Sequence, residues 1–231
     1  MKYLSIILYS AVCIAAKGYS GQELFVENPK VNAPNEALIA QKTNSKNAMA
    51  RDNRALQKLQ DGNERFVQGK VQHLNYSAET RKALKEVQTP FCAVLACSDS
   101  RVSPEIIFDQ GIGDIFIVRN AGNVASPVAK ESLKYAYQVL NVPLIVVIGH
   151  QNCGAVKASM DPDTQGFPKI MSLIPQKAKQ QKDLKEATIL NVKAQVKAIE
   201  EYLSSIQNSA PSSITVLGAY YDFKTGKVEF L

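Results

Sequence analysis

The segment ACSDSR (96–101) places a thiol, an acid and a base at alternate positions, Cys97, Asp99 and Arg101. An apolar run at 91–96, typical of a buried strand, comes directly before them. The end of a core strand is a costly place for polar side chains unless they have partners. Alternate spacing turns all three side chains to one side if the chain stays extended. The segment therefore predicts a chemical site at a strand end.

A second segment, GHQNCG (149–154), carries a histidine and a cysteine three positions apart. His150 and Cys153 also follow an apolar run, at 143–149. Two thiolates and one imidazole are good zinc ligands, with bond lengths of ~2.3 Å to sulfur and ~2.0–2.1 Å to nitrogen. Three protein ligands leave a fourth position open, as in catalytic zinc sites. Together with Cys97, this segment predicts a Cys-His-Cys zinc site.

The residues alone leave other uses of the cysteines open. Cys97 by itself is also typical of a small core residue, and one H-x-x-C pair is weak evidence for a metal. A redox thiol is another alternative, although the chain has no C-x-x-C motif. Cys92, five positions before Cys97, is expected on the opposite face of the strand and in the core. The joint pattern favours the metal, because each half directly follows a predicted strand.

A fold that brings two strand ends together is needed to position these residues. Apolar runs predict strands at 91–96, 114–120, 143–150, 213–223 and 227–231. Helices are predicted at 103–111, 128–140, 153–160 and 187–207, and two short helices around a turn at Asp61-Gly62-Asn63. Residues 161–187 have no clear pattern.

The order of these elements predicts an α/β fold with a mostly parallel central sheet flanked by helices. Thr225-Gly226 predicts the turn of a C-terminal antiparallel hairpin strand. Sites in such sheets lie at the carboxyl ends of the strands. Cys97 and His150, which are 53 positions apart, are therefore expected to meet there.

The composition excludes some classes of function. The chain has 231 residues, of which 45% are hydrophobic and 21% charged, which suits one globular domain with residues to spare. The net charge is +6, and it falls to +4 without residues 1–20, which carry two lysines and no acid. This charge is mild, and no basic stripe is interleaved with aromatic residues. We therefore expect no nucleic-acid partner.

The N-terminus has the pattern of a secretory signal. Residues 4–16 are apolar after a single lysine, a run too short to span a bilayer as a free helix. We predict a signal peptide at 1–20, a polar arm at 21–50 and the main domain at 51–231. The protein would then be exported, to the periplasm or the medium, and free of the membrane once the signal is removed. A retained membrane anchor is the alternative.

The two motifs and their surroundings resemble the β-class carbonic anhydrases. The matching segments are ACSDSRV (96–102), FIVRNAGN (116–123), VVIGHQNCG (146–154) and the closing hairpin GAYYDFKTGKVEFL (218–231). The resemblance covers roughly Ala50 to Leu231. It implies that the domain has the β-carbonic anhydrase fold and holds one zinc ion per chain through Cys97, His150 and Cys153. The activity that it implies is reversible hydration of carbon dioxide to bicarbonate and a proton.

The resemblance also implies roles for the acid and the base of the first motif. Asp99 would accept a hydrogen bond from zinc-bound hydroxide and orient it, and Arg101 would hold Asp99 through a bidentate pair. In similar enzymes this aspartate can instead become the fourth zinc ligand. A surface ion pair of little energetic value is the alternative for the two residues.

Three further positions match the substrate pocket of the plant-like branch of the family. Gln88 would donate a hydrogen bond to a substrate oxygen, and Phe116 and Tyr135 would form an apolar wall, with core packing as their alternative. The backbone N–H of Gly154 is a further candidate donor. The family places some pocket residues across a dimer interface, which implies a homodimer or a higher even oligomer.

Other functions remain open on the sequence alone. The same site could hydrolyse carbonyl sulfide or carbon disulfide, as related folds do. A non-catalytic zinc-binding protein and a thiol oxidoreductase are the remaining alternatives. A purely structural zinc site needs neither Asp99 nor Arg101, and their presence argues against the first of these two.

Overall fold

The structure, a computed structural model, describes residues 34–231 except 73, 165 and 207–213, and describes only the backbone of 34–49. The predicted signal peptide (1–20) lies outside the described residues, as does the predicted polar arm up to residue 33. No helix in the described part of the chain is both long enough and apolar enough to cross a membrane.

Helices and strands alternate along most of the described chain. The helices are α1 (Pro34–Val67), α2 (Ala78–Ala83), α3 (Pro104–Ile107), α4 (Pro127–Gln138), α5 (Gly154–Met160), α6 (Pro168–Met171), α7 (Gln176–Lys179) and α8 (Leu184–Ser205). The strands are β1 (Cys92–Cys97), β2 (Ile115–Asn120), β3 (Leu144–His150), β4 (Thr215–Tyr221) and β5 (Val228–Phe230). A 3₁₀ turn at Ala121–Asn123 follows β2.

The described strands form one sheet in the order β2-β1-β3-β4-β5. The first three neighbouring pairs are parallel, and β4 and β5 are antiparallel. The chain turns between β4 and β5 with Gly226 at a φ of 72°, a conformation that glycine adopts without strain. The predicted α/β fold and its C-terminal antiparallel strand are confirmed.

Helices cover both faces of the sheet. Every residue of β1 and β3 is buried, which explains why these strands read as continuous apolar runs. One face packs against α4 and α8, and the other against α1 and α3. Cys92 lies in the second of these cores with no exposed surface, as predicted, and burial raises the pKa of its thiol.

The prediction of two short helices around Asp61-Gly62-Asn63 is wrong, because α1 continues through all three residues. The helix also begins inside the segment predicted as a polar arm. Asn63 is buried, and its Nδ2 donates to the carbonyl oxygens of Ile107 and Gly226 at 3.1 and 2.9 Å. Glycine and asparagine here serve close packing of α1 rather than a turn.

Helix α8 carries the apolar stripe that the sequence predicts. Its Asp183 cap accepts hydrogen bonds from the N–H groups of Lys185 and Glu186 at 3.3 and 3.2 Å, which fixes the start of the helix. The buried face also contains three polar side chains that the sequence prediction did not place there: Thr188, Asn191 and Gln195.

Candidate metal centre

Three side chains that could bind a metal lie together at the carboxyl edge of the sheet. Cys97 ends β1, His150 ends β3, and Cys153 is the N-cap residue of α5. Their ligand atoms all lie within 4.8 Å of one another, and all three residues are buried. The structure thus brings together the three residues predicted to bind zinc.

The ring of His150 has one nitrogen free for a metal. Its Nδ1 lies 2.9 Å from the carbonyl oxygen of Gln151. Because a carbonyl oxygen only accepts, Nδ1 carries the proton and donates. Nε2 keeps its lone pair, yet it is buried and has no hydrogen-bond partner among the described residues. A buried acceptor without a partner is costly, and a metal ion would satisfy it. The donor set therefore fits a divalent metal such as zinc.

The two cysteine sulfurs are neighbours, and a backbone donor reaches one of them. The N–H of Gly122 donates to Sγ of Cys97 at 3.3 Å. The Cys153 side chain, together with this N–H, lowers the pKa of Cys97. The Cys97 sulfur, together with burial, raises the pKa of Cys153. Binding of a metal by both sulfurs would displace the proton that the pair retains.

Asp99 and Arg101 form a bidentate pair beside these ligands. Nε of Arg101 donates to Oδ1 of Asp99 at 2.9 Å, and Nη2 donates to Oδ2 at 2.7 Å. The guanidinium of Arg101 holds the pKa of Asp99 well below its usual range. Oδ2 of Asp99 also lies 4.0 Å from Nε2 of His150, so the carboxylate is aimed at the metal-binding atoms.

Phe223, just after β4, packs against both halves of the site. The guanidinium carbon of Arg101 lies 4.4 Å from its ring centre, and the ring centre of His150 lies 5.3 Å away. The N–H of Phe223 donates to Oε1 of Gln151 at 3.0 Å. The sequence pattern does not single out Phe223, because it predicts this residue as the last of a strand. Its position at the carboxyl end of a core strand was the available signal.

Arg119 fixes the backbone that carries the first motif. Its Nε donates to the carbonyl oxygen of Cys97 at 3.1 Å, and its Nη2 donates to that of Asp99 at 2.9 Å. Arg119 was not predicted as a site residue either, although an arginine inside an otherwise apolar strand was a usable signal.

The predicted pocket residues lie together, but far from the metal-binding residues of the same chain. Gln88 and Tyr135 line one groove, and the ring of Phe116 packs 6.1 Å from that of Tyr135. Phe116 lies four residues before Asn120, which pairs with Cys97 in the sheet. Four strand residues span about 13 Å, so these side chains belong to the opposite edge of the sheet.

Gly154 is the exception among the predicted pocket residues. It is the first residue of α5, directly after Cys153, and it is exposed. A Cβ at this position would meet no heavy atom within 4 Å. The surface next to the metal-binding residues is therefore open at this point.

A family model described as carbonic anhydrase matches residues 92–228. The chain belongs to the β-class carbonic anhydrase family. The match includes both motifs, the 3₁₀ turn and the C-terminal hairpin up to Val228.

Curated members of the family match different lengths of the chain. Carbonic anhydrase 2 of Mycobacterium tuberculosis is 53% identical over 102 residues, which are 44% of this chain and 49% of the relative. The carbonic anhydrase of Mycolicibacterium smegmatis is 50% identical over 108 residues, 47% of this chain and 52% of the relative. The chain thus spans about half the length of these two relatives. Beta carbonic anhydrase 3 of Arabidopsis thaliana is 29% identical over 196 residues, 74% of this chain and 75% of the relative.

Solved β-carbonic anhydrases have the same fold. The enzyme from Coccomyxa is 29% identical with a TM-score of 0.55, over 65% of this chain and 75% of that chain. CafA of Aspergillus fumigatus is 27% identical with a TM-score of 0.56, over 66% and 80%. These similarities agree with the α/β fold of this chain.

Proposed function

We propose that the protein catalyses zinc-dependent, reversible hydration of carbon dioxide to bicarbonate and a proton. The observation that carries this proposal is the buried Nε2 of His150, which has no hydrogen-bond partner among the described residues. Two cysteine sulfurs converge with the imidazole within 4.8 Å, in a chain of the carbonic anhydrase family. If no metal were bound, this buried nitrogen would destabilise the folded protein, because it would have no hydrogen-bond partner.

Cys97, His150 and Cys153 would hold the zinc ion. When bound, zinc lowers the pKa of a water ligand so that hydroxide is available near neutral pH. Two thiolates donate more charge than imidazoles would, so neighbouring groups of the chain have to assist. These neighbouring groups have to orient the nucleophile and to reduce the negative charge that the cysteine sulfurs donate to the metal.

Asp99 supplies the orientation. Its carboxylate would accept a hydrogen bond from the hydroxide and so direct an oxygen lone pair at the carbon of carbon dioxide. Arg101 binds both carboxylate oxygens, which keeps Asp99 ionised and aimed. The hydroxide oxygen would form a C–O bond while the π bond of one C=O of carbon dioxide breaks, which gives bicarbonate, and the proton lost by water would pass to the solvent.

A second copy of the chain would complete the substrate pocket. Gln88, Phe116 and Tyr135 lie at the edge of the sheet opposite to the metal-binding residues of their own chain, so a partner would bring its set to this site. Strand β2 is an edge strand, and Tyr135 of α4 and Val139 just after it are exposed beside the groove of Gln88. Tetrameric β-carbonic anhydrases of Sordaria macrospora are 26% identical with a TM-score of 0.53. These observations support a homodimer or a higher even oligomer.

Stopped-flow measurement of carbon dioxide hydration by the zinc-loaded protein tests the activity. Asp99→Asn keeps the shape of the side chain but removes the negative charge, and we expect kcat to fall by about 10²–10³. Background activity in the wild-type protein with one zinc per chain would overturn the proposal. Carbonyl sulfide and carbon disulfide, assayed in parallel, would then identify another substrate of the same site.

We also propose that the protein is exported, with residues 1–20 as the signal peptide. The apolar run after a single lysine supports this proposal. N-terminal sequencing of the mature protein tests it. An intact Met1 on protein recovered from the cytoplasm would contradict it.

A further inference from the structure

A chain of buried polar groups links α8 to the sulfur of Cys97. Asn191 and Gln195 are 0% and 3% exposed. Nδ2 of Asn191 donates to the carbonyl oxygen of Gly122 at 2.9 Å, and Nε2 of Gln195 donates to Oδ1 of Asn191 at 2.9 Å. Oε1 of Gln195 accepts the N–H of Ala125 at 2.8 Å. Two amide side chains of one helix thus hold both ends of the loop after β2.

Gly122 is the point at which this loop touches the metal-binding residues. Its N–H donates to Sγ of Cys97 at 3.3 Å, and its φ is 73°. The N–H and the C=O of Gly122 flank the same Cα atom. A side chain that holds the carbonyl oxygen therefore resists the rotation that would carry the N–H away from the sulfur. A Cβ at this position would lie 3.1 Å from that of Ala155, so the fit is close.

We propose that Asn191, oriented by Gln195, is a positioning residue for the metal ligand Cys97 and acts through the Gly122 N–H. The inference rests on the proposed metal centre. A hydrogen bond to a thiolate stabilises its negative charge and reduces the charge that the sulfur gives to a bound metal. In a site with two thiolates, this contact would keep a bound metal more electrophilic. It also protects the sulfur from alkylation, since a thiolate with less free charge is a weaker nucleophile.

An apolar α8 would cover the sheet equally well, so packing alone does not explain the two amides. Removing Asn191 leaves the carbonyl of Gly122 buried without a partner, and the loop gains freedom to move. A purely structural role predicts lower stability but an unchanged ligand field at the metal. A positioning role predicts that the properties of the Cys97 sulfur change.

The experiment compares Asn191→Ala with Thr188→Val in the full chain loaded with Co²⁺. Thr188 is a matched control because it is also fully buried on α8, but its hydroxyl donates only to Leu184 of the same helix. For Asn191→Ala we expect the sulfur-to-cobalt charge-transfer band to move to lower energy. We also expect cobalt affinity, measured by competition with a chelator, to fall by about 10- to 100-fold, because the freed loop no longer holds Cys97 in place for the metal. Thr188→Val should match the wild type in both.

A folded Asn191→Ala protein with a native band and native affinity would overturn the inference. Should that variant not fold, Gln195→Met loosens Asn191 without removing it, and we expect shifts of the same direction and smaller size. A measurement on the wild type needs no variant. In protein loaded with ¹¹³Cd, the amide proton of Gly122 should show a scalar coupling to the metal through Cys97, and its absence would contradict the inference. A wild-type chain that binds neither metal would instead contradict the proposed metal centre.

Discussion

The guanidinium carbon of Arg101 lies 4.4 Å from the centre of the Phe223 ring. This distance is that of a cation–π contact. The same ring packs against His150, so one aromatic side chain after β4 touches both the arginine that binds Asp99 and a predicted zinc ligand. The C-terminal hairpin therefore belongs to the site as well as to the sheet.

Replacing Phe223 by leucine keeps an apolar side chain but removes the π face under Arg101. An exposed cation–π contact contributes about 0.5–1 kcal/mol, so we expect kcat to fall about two- to fivefold. Zinc content should not change. The matched control is Phe230→Leu, because Phe230 packs on Phe108 in the core. Equal losses of kcat in the two variants would show that Phe223 acts only through stability.

Replacing Arg101 by alanine should raise the pKa of Asp99 toward its ordinary value, because the guanidinium is the main cause of its low pKa. In the wild type the depressed pKa keeps Asp99 ionised until the pH falls far below neutral. In the variant, Asp99 is protonated at a higher pH, so the acid limb of the kcat/KM profile should shift to higher pH. Arg101→Lys should show a smaller move, since lysine keeps the charge but loses the bidentate geometry. Superimposable profiles would contradict this role.

Mixing two defective variants tests whether the substrate pocket is shared between chains. Asp99→Asn damages the metal side of the site, and Gln88→Ala damages the proposed partner side. In a heterodimer one site receives both changes and the other receives neither, so about a quarter of all sites should regain full activity after random mixing. Activity that stays at the average of the two parents, with heterodimers demonstrated by mass spectrometry, would place each pocket within one chain.

The cysteines should differ sharply in their effect on zinc content. Cys97→Ser should lose most of the bound zinc, whereas Cys92→Ala should keep one ion per chain and full activity. Cys92 is fully buried in the core, so its truncation should cost on the order of 1 kcal/mol of unfolding free energy. Metal analysis of the dialysed variants and urea unfolding curves provide the two measurements. Loss of zinc from folded Cys92→Ala protein would contradict the assignment.

The strands and the metal-binding residues were predictable from sequence, because their signals are local. A fully buried strand has to be apolar throughout, so the polar residues that follow β1 and β3 stand out. The parallel order of the sheet then brings Cys97 and His150 to one edge. Phe223 also lies just after a core strand, but it is apolar and does not stand out there, and Asn191 lies inside a helix. The sequence predicts Phe223 as a strand residue and Asn191 as a helix residue beside an apolar stripe. Their roles depend on contacts with Arg101 and Gly122, respectively, which are distant from them in sequence.

The error at Gly62 has the same origin and leads to a prediction of its own. Glycine next to asparagine is a local signal for a turn, but the reason for this glycine lies 46 positions away. A Cβ on Gly62 would lie 1.7 Å from the carbonyl oxygen of Phe108, which is backbone and cannot turn aside. Helix α1 and the segment after α3 would have to separate. Close packing between α1 and the segment after α3 therefore requires a glycine at position 62.

Gly62→Ala should therefore destabilise the protein although alanine favours helices. Overpacking of this kind costs about 1–3 kcal/mol, which outweighs the gain of about 1 kcal/mol in helix propensity. The control is Gly166→Ala, where a Cβ meets nothing within 4 Å. Urea unfolding should show a lower midpoint for Gly62→Ala and little change for Gly166→Ala. A midpoint for Gly62→Ala at or above that of the wild type would show that α1 and the Phe108 segment move apart at no cost, and would remove the packing explanation for this glycine.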